Sequence, residues 1–352
     1  MRLCLYSKKR LESKSWVIMI KTCVNSLQNQ TRPEFTVIYI GGLGRSGSTL
    51  LAELLATLPG FVSVGELPTL WRHGWRDDWQ SSDGHQFSTS PVWKALLARL
   101  QQENKDFDPE LALQLCEDVA KDRHKVALCA GKWSDAKNEI LSEYTEHFIK
   151  VYRILADETK AQVIVDSGKT PFHAALMSIV PDLDFRSIHL IRDPRAVAFS
   201  RMRKKVNRNT KSALPILMVR QGPVRIALRW NWQNILMHRS RQSGKAGACL
   251  HYEALAKNPA AEIARTLSDL GVPYSQNALN ALRSGSFAKR PGIAFSGNSS
   301  RFDLEETSVK LDDAWRHALP WWSYAVVSAL TYPVRCWLGA VGSSNCNART
   351  NA

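Results

Sequence analysis

Short apolar runs alternate with helical patterns along the chain. The runs Phe35–Ile40, Ala161–Val165 and Arg186–Ile191 are rich in β-branched and aromatic residues, and polar residues and then a helical pattern follow each of them. A shorter run, Ala248–Tyr252, precedes a helical pattern over Pro259–Leu270. This alternation predicts βαβ units, and therefore an α/β fold with a central parallel β-sheet flanked by helices. In such a fold, ligands bind at the carboxyl ends of the strands.

The other segments predict one domain with an insertion and two terminal extensions. Residues 68–155 are mostly helical in pattern, which predicts a helical insertion over the site, on the side where a second substrate enters. We expect the domain over residues 36–340, a basic leader of unassigned order over 1–35, and a tail over 341–352.

Composition and charge define the class of protein and of partner. The 352 residues include 47 Lys+Arg and 32 Asp+Glu, which gives a formal net charge of +15. Collagen-like, low-complexity and wholly disordered chains are excluded by the composition, and the charge predicts an anionic partner. The apolar runs Trp16–Ile20 and Ala318–Leu330 are too short to span a bilayer, and residues 1–35 do not resemble a secretory signal.

The cysteines indicate a reducing compartment. Their number is odd, and they form neither a CxxC pair nor a zinc-binding spacing. We therefore predict reduced thiols in a cytoplasmic protein. The seven positions are Cys4, Cys23, Cys116, Cys129, Cys249, Cys336 and Cys346.

A glycine-rich loop, Gly41–Thr49, follows the first predicted strand and precedes a helix. Such a loop presents backbone N–H groups and a helix N-terminus, which together suit a phosphate. Gly42 and Gly47 have the spacing of a triphosphate-binding loop, but Ser48 stands where that loop has its lysine. Arg45 is the cation instead, and it suits bidentate contact with an oxyanion. The alternative is a strand-to-helix turn without a ligand. The candidate residues are Gly44, Arg45, Ser46, Gly47, Ser48 and Thr49.

A second polar segment, Ile191–Arg201, begins where the third predicted strand ends. Arg192 and Ser200 lie on either side of a turn and the first turns of a helix, so both could contact a second phosphate. Asp193 and Pro194 are common at helix starts and also explain the turn by themselves. Both interpretations stay open at this point.

Taken together, the two segments resemble the sulfotransferase family that uses 3′-phosphoadenosine-5′-phosphosulfate (PAPS). The resemblance covers residues 36–316 and is closest to the broad microbial type. It implies a P-loop-containing nucleotide-binding fold, a sulfotransferase activity with PAPS as co-substrate, and no metal cofactor. Further similar motifs follow in the family's order: Gly65–Leu67, Asp166–Lys169, Tyr252–Glu253 and Gly297–Phe302.

The resemblance also implies how the donor is held. The glycine-rich loop would bind the 5′-phosphosulfate, and Arg192 and Ser200 would bind the 3′-phosphate. Tyr252 would stack on adenine, and Arg301 would supplement the 3′-phosphate site. A tyrosine at a strand end is also a common packing residue, so packing is the alternative role for Tyr252.

Three residues are candidates for the chemistry. Arg45 and Lys169 lie just beyond strand ends at one sheet edge, and both could stabilise the sulfuryl and bridging oxygens. Glu66 is the candidate base for the acceptor's proton, and related sulfotransferases carry an acidic base in this region. Its alternative role is to cap a helix or pair with an arginine. The animal cytosolic type has a Lys-x-His segment whose histidine has no counterpart here, so His73 and His85 are secondary candidates.

Other readings of the sequence remain at this stage. A metal-dependent P-loop kinase would need a Mg²⁺ ligand, for which Asp166 is the nearest candidate. A basic nucleic-acid binder would use Arg201–Lys205 with Arg208 and Lys211, although a solvated face or a lid over the nucleotide also suits this run. Membrane contact through residues 1–35 or Trp321–Trp322 is a further option.

The acceptor and the oligomeric state are not specified by the sequence. A hydroxyl or amine on a small molecule, carbohydrate, lipid or peptide tyrosine fits the resemblance, in secondary metabolism or glycoconjugate modification. Trp71, Trp75 and Trp79 are spaced by four residues, which predicts one helical face. That face would either belong to the core or line an acceptor pocket.

Overall fold

The computed structural model describes residues 35–121, 138–181, 183–203, 220–243, 246–290, 292–297, 302 and 307–347. A five-stranded sheet lies at its centre, with the strands all parallel in the order β2-β3-β1-β4-β5. The strands are β1 (Thr36–Gly41), β2 (Phe61–Gly65), β3 (Val163–Lys169), β4 (Asp184–Ile191) and β5 (Ala246–His251). The predicted α/β architecture is confirmed.

Helices connect the strands and cover both faces of the sheet. A 3₁₀ turn, Leu67–Thr69, and a π-helix, Leu70–Arg76, follow β2. A two-stranded antiparallel sheet pairs β6 (Ser286–Phe287) with β7 (Thr307–Ser308). The α-helices are α1 (Ser48–Leu55), α2 (Pro91–Glu103), α3 (Pro109–Lys121), α4 (Asn138–Thr159), α5 (Pro171–Ser178), α6 (Pro194–Met202), α7 (Pro223–Ser243), α8 (Tyr252–Lys257), α9 (Pro259–Leu270), α10 (Gln276–Ala281), α11 (Trp315–Ala318) and α12 (Trp321–Asn347).

Strand β1 shows why the central strands read as continuous apolar runs. Val37 and Tyr39 belong to the hydrophobic cluster on one face of the sheet, where α4 and α5 pack, and Ile38 and Ile40 belong to the cluster of the other face, where α1 and α9 pack. All four side chains are completely buried. A strand covered on both faces has no polar side to alternate with its apolar side.

The carboxyl ends of three strands meet at one edge of the sheet. Gly41 at the end of β1 pairs with Lys169 of β3 and with His189 of β4. The glycine-rich loop therefore begins beside Lys169 and close to the segment after β4. This edge is where the sequence predicts the ligand site.

Two features of the sheet differ from the sequence-based expectation. Strand β3 continues through Asp166 to Lys169, although the polar residues after Val165 predict the strand's end. Buried hydrogen bonds satisfy the carboxyl group of Asp166 inside the sheet. The edge strand β2 was not predicted, because its five residues form only a short apolar pattern.

The predicted helical insertion contains the π-helix and helices α2, α3 and α4 in its described parts. Helix α12 continues to Asn347, into the segment predicted as a tail. Among the described residues, no helix combines the length and the apolar character needed to cross a bilayer.

Replacing Gly65 with Ala is expected to lower the free energy of unfolding by at least about 2 kcal/mol more than the same change at Gly285. Both glycines have positive φ, 85° and 73°. A Cβ on Gly65 would lie 2.0 Å from the carbonyl oxygen of Phe295, whereas one on Gly285 would meet nothing within 4 Å. Urea unfolding of both variants measures the difference, and equal losses would contradict the argument.

Candidate functional site

A cleft of about 420 Å³ opens at the carboxyl edge of the sheet. It is lined by the glycine-rich loop and by the segments that follow β2, β3 and β4, so residues far apart in the chain converge there. Most of the predicted site residues lie on its wall. These are Gly44, Arg45, Gly47, Ser48, Thr49, Glu66, Lys169, Arg192, Ser200 and Tyr252.

The loop between β1 and α1 owes its shape to its glycines. Gly42 has φ 145° and Gly47 has φ 93°, and a Cβ at either position would collide, with the carbonyl oxygen of Leu190 at 2.4 Å or with Cδ2 of Tyr252 at 2.5 Å. Gly47 is the N-cap of α1 and has no side chain to occupy the first N–H groups of the helix. The helix N-terminus therefore offers N–H donors and a positive dipole end to an anion.

Two arginines crowd beside this loop. Burial lowers the pKa of Arg45, and burial together with the charges of Arg229 and Arg45 lowers the pKa of Arg201 to about 10. One Nη of Arg201 donates to the carbonyl oxygen of Gly44 at 3.1 Å, and its buried Nε finds no partner among the described residues. Arg45 and Arg201 are therefore two like charges that are partly removed from water, and Arg201 has an unused donor. A bound anion would stabilise both charges and could accept a hydrogen bond from that donor.

Arg192 is fixed on several sides at the end of β4. Its guanidinium donates to the carbonyl oxygen of Arg45 at 3.1 Å and to the Asp312 carboxylate at 2.9 Å, and it lies 4.2 Å above the ring of Tyr252. Its carbonyl accepts a hydrogen bond from the Trp230 indole at 2.9 Å. The buried Nε of Arg192 has no partner among the described residues. Arg192 is thus held in position with one donor still available for a ligand in the cleft.

The turn after β4 has both roles that the sequence left open. Asp193 caps α6 by accepting a hydrogen bond from the backbone N–H of Arg195, and Pro194 is the first residue of the helix. The same turn places Arg192 and Ser200 on the wall of the cleft. Helix capping and ligand contact are therefore compatible here.

Glu66 and Lys169 form an ion pair inside the cleft. The Nζ of Lys169 donates to Oε1 of Glu66, and both side chains are about five-sixths buried, with exposed fractions of 16% and 15%. Gly297 lies against the pair, because a Cβ there would be 3.4 Å from Oε1 of Glu66 and 3.3 Å from Oγ1 of Thr49. The partner of Glu66 is thus a lysine that is itself a site candidate, and not the structural arginine that was the alternative.

The secondary candidates differ in position. His73 stacks on Trp79 with ring centroids 3.9 Å apart, its Nδ1 lies 3.1 Å from Oγ of Ser296, and burial lowers its pKa. Ser296 directly precedes Gly297, which lies against Glu66, so His73 lies on the Glu66 side of the site. His85 is exposed in a surface loop and does not line the cleft.

A model of the sulfotransferase family matches residues 37–276, which is more than half of the chain and includes the loop, Glu66, Lys169 and Arg192. The chain belongs to the sulfotransferase family. It is 25% identical over 256 residues to a Caenorhabditis briggsae protein named "Putative protein-tyrosine sulfotransferase", a match that covers 69% of this chain and 68% of that protein.

Two solved structures are similar to this sulfotransferase. The sulfotransferase domain of the Synechococcus PCC 7002 olefin synthase is 18% identical, with 86% of this chain and 97% of that one covered and a TM-score of 0.40. The sulfotransferase domain of the curacin biosynthetic pathway is 16% identical, with 86% and 99% covered and a TM-score of 0.42.

Several residues of the sulfotransferase's cleft were not identified from the sequence as ligand contacts. Arg201 was assigned to a basic run, although it directly follows Ser200 and donates to the carbonyl oxygen of Gly44 in the loop. Asp312 and Lys289 line the cleft from the C-terminal part of the chain, where no local pattern marks them. Arg301 lies outside the described residues, as do Arg208 and Lys211 of the basic run.

The predicted tryptophan face is wrong. Leu70–Arg76 is a π-helix that contains Trp71 and Trp75 but ends before Trp79, so the three tryptophans do not share one helical face. Trp71 is buried in the core and donates to Nε2 of His147 at 2.8 Å, whereas Trp79 lies beyond the helix and stacks on His73. Trp75 packs against the same hydrophobic cluster that contains Trp71, so these two belong to the core and only Trp79 is separated from them.

Behind Glu66 and Lys169, a buried network connects their two segments. Oδ1 of Asp166 accepts from the backbone N–H of Leu67 at 3.3 Å, and Oδ2 accepts from Tyr152 Oη at 2.6 Å. Tyr152 Oη lies 2.9 Å from His173 Nε2, and His173 Nδ1 lies 2.9 Å from Tyr144 Oη. Asp166 is completely buried, so it holds the segments of the candidate residues and does not line the cleft.

The described residues include no group of three His, Cys, Asp or Glu side chains that could hold a metal ion. Asp166, the nearest candidate for a Mg²⁺ ligand, is committed to the network behind the cleft. The cationic side chains and N–H groups of the cleft are instead a donor set that suits phosphate and sulfonate oxygens.

As the pH rises from about 4 to about 7, the free energy of unfolding of the wild type is expected to fall. Replacing Asp166 with Asn is expected to reduce that fall. Burial raises the pKa of Asp166 from its usual 3.8 to about 7, so in this range the folded state keeps a proton that the unfolded chain has released. Rising pH therefore favours unfolding of the wild type, and Asn cannot titrate. Urea unfolding at a series of pH values measures the effect; a constant difference between the two proteins across that range would contradict it.

Proposed function

We propose that this sulfotransferase transfers the sulfuryl group of PAPS to an acceptor hydroxyl and releases adenosine 3′,5′-bisphosphate. The observation that carries the proposal is the convergence of three groups on one cleft. These are the glycine-rich loop with Arg45, the Arg192–Ser200 segment, and the Glu66–Lys169 pair. Transfer from a bisphosphorylated nucleotide requires two anion sites and an acid–base pair, and the strand ends bring these groups together.

The donor would lie across the cleft with its two ends on different segments. The helix N-terminus and Arg45 would hold the 5′-phosphosulfate, and Arg192 and Ser200 would hold the 3′-phosphate. The unused Nε donors of Arg192 and Arg201 support an anionic ligand here. Tyr252 packs against Gly47 and Arg192, which supports a role in positioning them; its stacking on adenine stays a prediction.

The chemistry would proceed by in-line displacement at sulfur. The acceptor oxygen forms a bond to sulfur while the bond from sulfur to the bridging oxygen of the 5′-phosphate breaks. Lys169 and Arg45 would stabilise charge on the nonbridging and bridging oxygens, and Glu66 would take the acceptor's proton. In the structure, Glu66 and Lys169 neutralise each other. When the substrates bind, the acceptor hydroxyl would replace Lys169 as the partner of Glu66, and donor oxygens would replace Glu66 as the partner of Lys169.

The acceptor class and the compartment belong to the proposal as well. The name of the Caenorhabditis briggsae relative makes a peptide tyrosine the first acceptor to test, with carbohydrate, lipid and phenolic hydroxyls and amines after it. The described cysteines Cys116, Cys249 and Cys336 are free thiols, which supports a cytoplasmic location.

Transfer is tested with PAPS labelled with ³⁵S and a panel of acceptors from these classes, in the presence of EDTA. We expect label on one class of acceptor and an equal amount of adenosine 3′,5′-bisphosphate. A parallel reaction with ATP and Mg²⁺ tests the kinase alternative. Turnover of ATP with PAPS left intact would contradict the proposal.

A further inference from the structure

Helices α7 and α12 expose an unusual concentration of large apolar side chains. Nine of the twelve such side chains that are exposed in the described part of the chain belong to these two helices. On α7, Val224, Leu228 and Trp232 are 51%, 57% and 52% exposed. Their spacing of four residues places them on one face of the helix.

Helix α12 adds aromatic residues to the same side of the molecule. Trp321, Trp322 and Tyr332 are 82%, 47% and 62% exposed. The two helices pack on each other, and Nδ2 of Asn231 donates to the carbonyl oxygen of Leu330 at 2.7 Å. We define the aromatic face by six residues: Val224, Leu228, Trp232, Trp321, Trp322 and Tyr332.

The hydrogen bond between Asn231 and Leu330 shows that α7 and α12 lie side by side. Leu228 and Trp232 lie about 60° and 100° from Asn231 around the axis of α7, given 100° per residue. Both therefore project to solvent next to the side of α7 that contacts α12. An apolar surface of this kind on a folded protein is typical of an interaction site.

The charged residues of α7 and α12 have one sign. Neither Pro223–Ser243 nor Trp321–Asn347 contains an Asp or a Glu. Arg225 and Arg229 are exposed on α7, each one residue after a member of the aromatic face. Helices that lie in the headgroup region of a bilayer typically combine tryptophan and tyrosine with arginine and lack acidic residues.

A second copy of the chain fits this surface less well than a lipid does. In a symmetric dimer, the aromatic face would meet itself, so two surfaces that both carry Arg225 and Arg229 would be brought together. No acidic residue in either helix could compensate that repulsion. An anionic lipid surface supplies both the missing negative charge and an interface for the indole rings.

We propose that the aromatic face docks on an anionic lipid surface. Trp321, Trp322 and Trp232 would enter the headgroup region, and Arg225 and Arg229 would contact lipid phosphates or carboxylates. The aromatic face lies on the outer sides of α7 and α12 and includes none of the residues assigned to the chemistry, although the charge of Arg229 also acts on Arg201 in the cleft.

The full-length protein is sedimented with vesicles of phosphatidylserine and phosphatidylcholine, and with vesicles of phosphatidylcholine alone. We expect at least about tenfold tighter binding to the anionic vesicles. The double variant Trp321→Ala/Trp322→Ala should weaken that binding at least about tenfold. Arg225→Gln/Arg229→Gln should weaken it roughly 25-fold, about fivefold for each charge. Leu111→Ala, which removes a side chain 60% exposed on α3, is the matched control and should change nothing.

Circular dichroism melting of each variant tests whether it is folded, and the arginine pair remains informative if the tryptophan pair unfolds the chain. The proposal is overturned by absence of vesicle binding, or by binding that neither double variant weakens. A wild-type dimer in sedimentation equilibrium that Trp321→Ala/Trp322→Ala makes monomeric would assign the surface to a second copy.

Discussion

Replacing Glu66 with Gln is expected to lower kcat for sulfuryl transfer by a factor of roughly 10²–10⁴. The amide keeps the size of the side chain and can still accept a hydrogen bond from Lys169, but it cannot take the proton of the acceptor. Affinity for adenosine 3′,5′-bisphosphate should change by less than about threefold, because the product contacts assigned to the loop and Arg192 are retained. Steady-state kinetics and calorimetry measure the two quantities.

Glu53→Gln is the matched control for this variant. Glu53 lines the same cleft and pairs with Lys289 at 3.3 Å, so its replacement removes the same charge from the same cavity. We expect its kcat to fall by less than about tenfold, since no proton transfer is lost. If both variants lose activity equally, Glu66 acts through the charge of the cleft and is not the base.

Replacing Arg192 with Ala is expected to weaken binding of adenosine 3′,5′-bisphosphate roughly 100-fold, because charge-assisted hydrogen bonds to a phosphate are lost from a buried site. Arg192→Lys keeps the charge but not the planar donor set, so an intermediate affinity is expected. Isothermal titration gives both values.

Arg195→Ala is the control for the arginine variant. Arg195 lies on the same turn but bonds to Asp193 and Tyr324 instead of lining the cleft. Its replacement should change the affinity by less than about threefold. An Arg192→Ala protein that melts like the wild type and binds the bisphosphate equally well would place the 3′-phosphate elsewhere.

The sequence predicted the parts of the fold that depend on local patterns. The central strands are buried on both faces, so their apolar runs are long enough to be recognised, and the turns after them carry the polar residues that line the cleft. Strand β2 lies at the sheet edge, and its sequence Phe61–Gly65 is short and half-buried. A pattern of that length does not distinguish a strand from a loop.

The parts that were missed depend on contacts between distant segments. Asp166 reads as the end of a strand, yet hydrogen bonds from Leu67 and Tyr152 allow it to lie inside the sheet. Asp312 reaches Arg192 across 120 positions of sequence. The helix that contains Trp71 ends at Arg76, before Trp79, and the spacing of the tryptophans does not mark that end.

The most direct measurement is calorimetric titration of the protein with adenosine 3′,5′-bisphosphate in the presence of EDTA, beside titrations with ATP with and without Mg²⁺. We predict metal-free binding of the bisphosphate that is well above binding of ATP and that Arg192→Ala and Arg45→Ala both weaken. Binding of Mg²⁺-ATP without binding of the bisphosphate would contradict a PAPS site in this cleft.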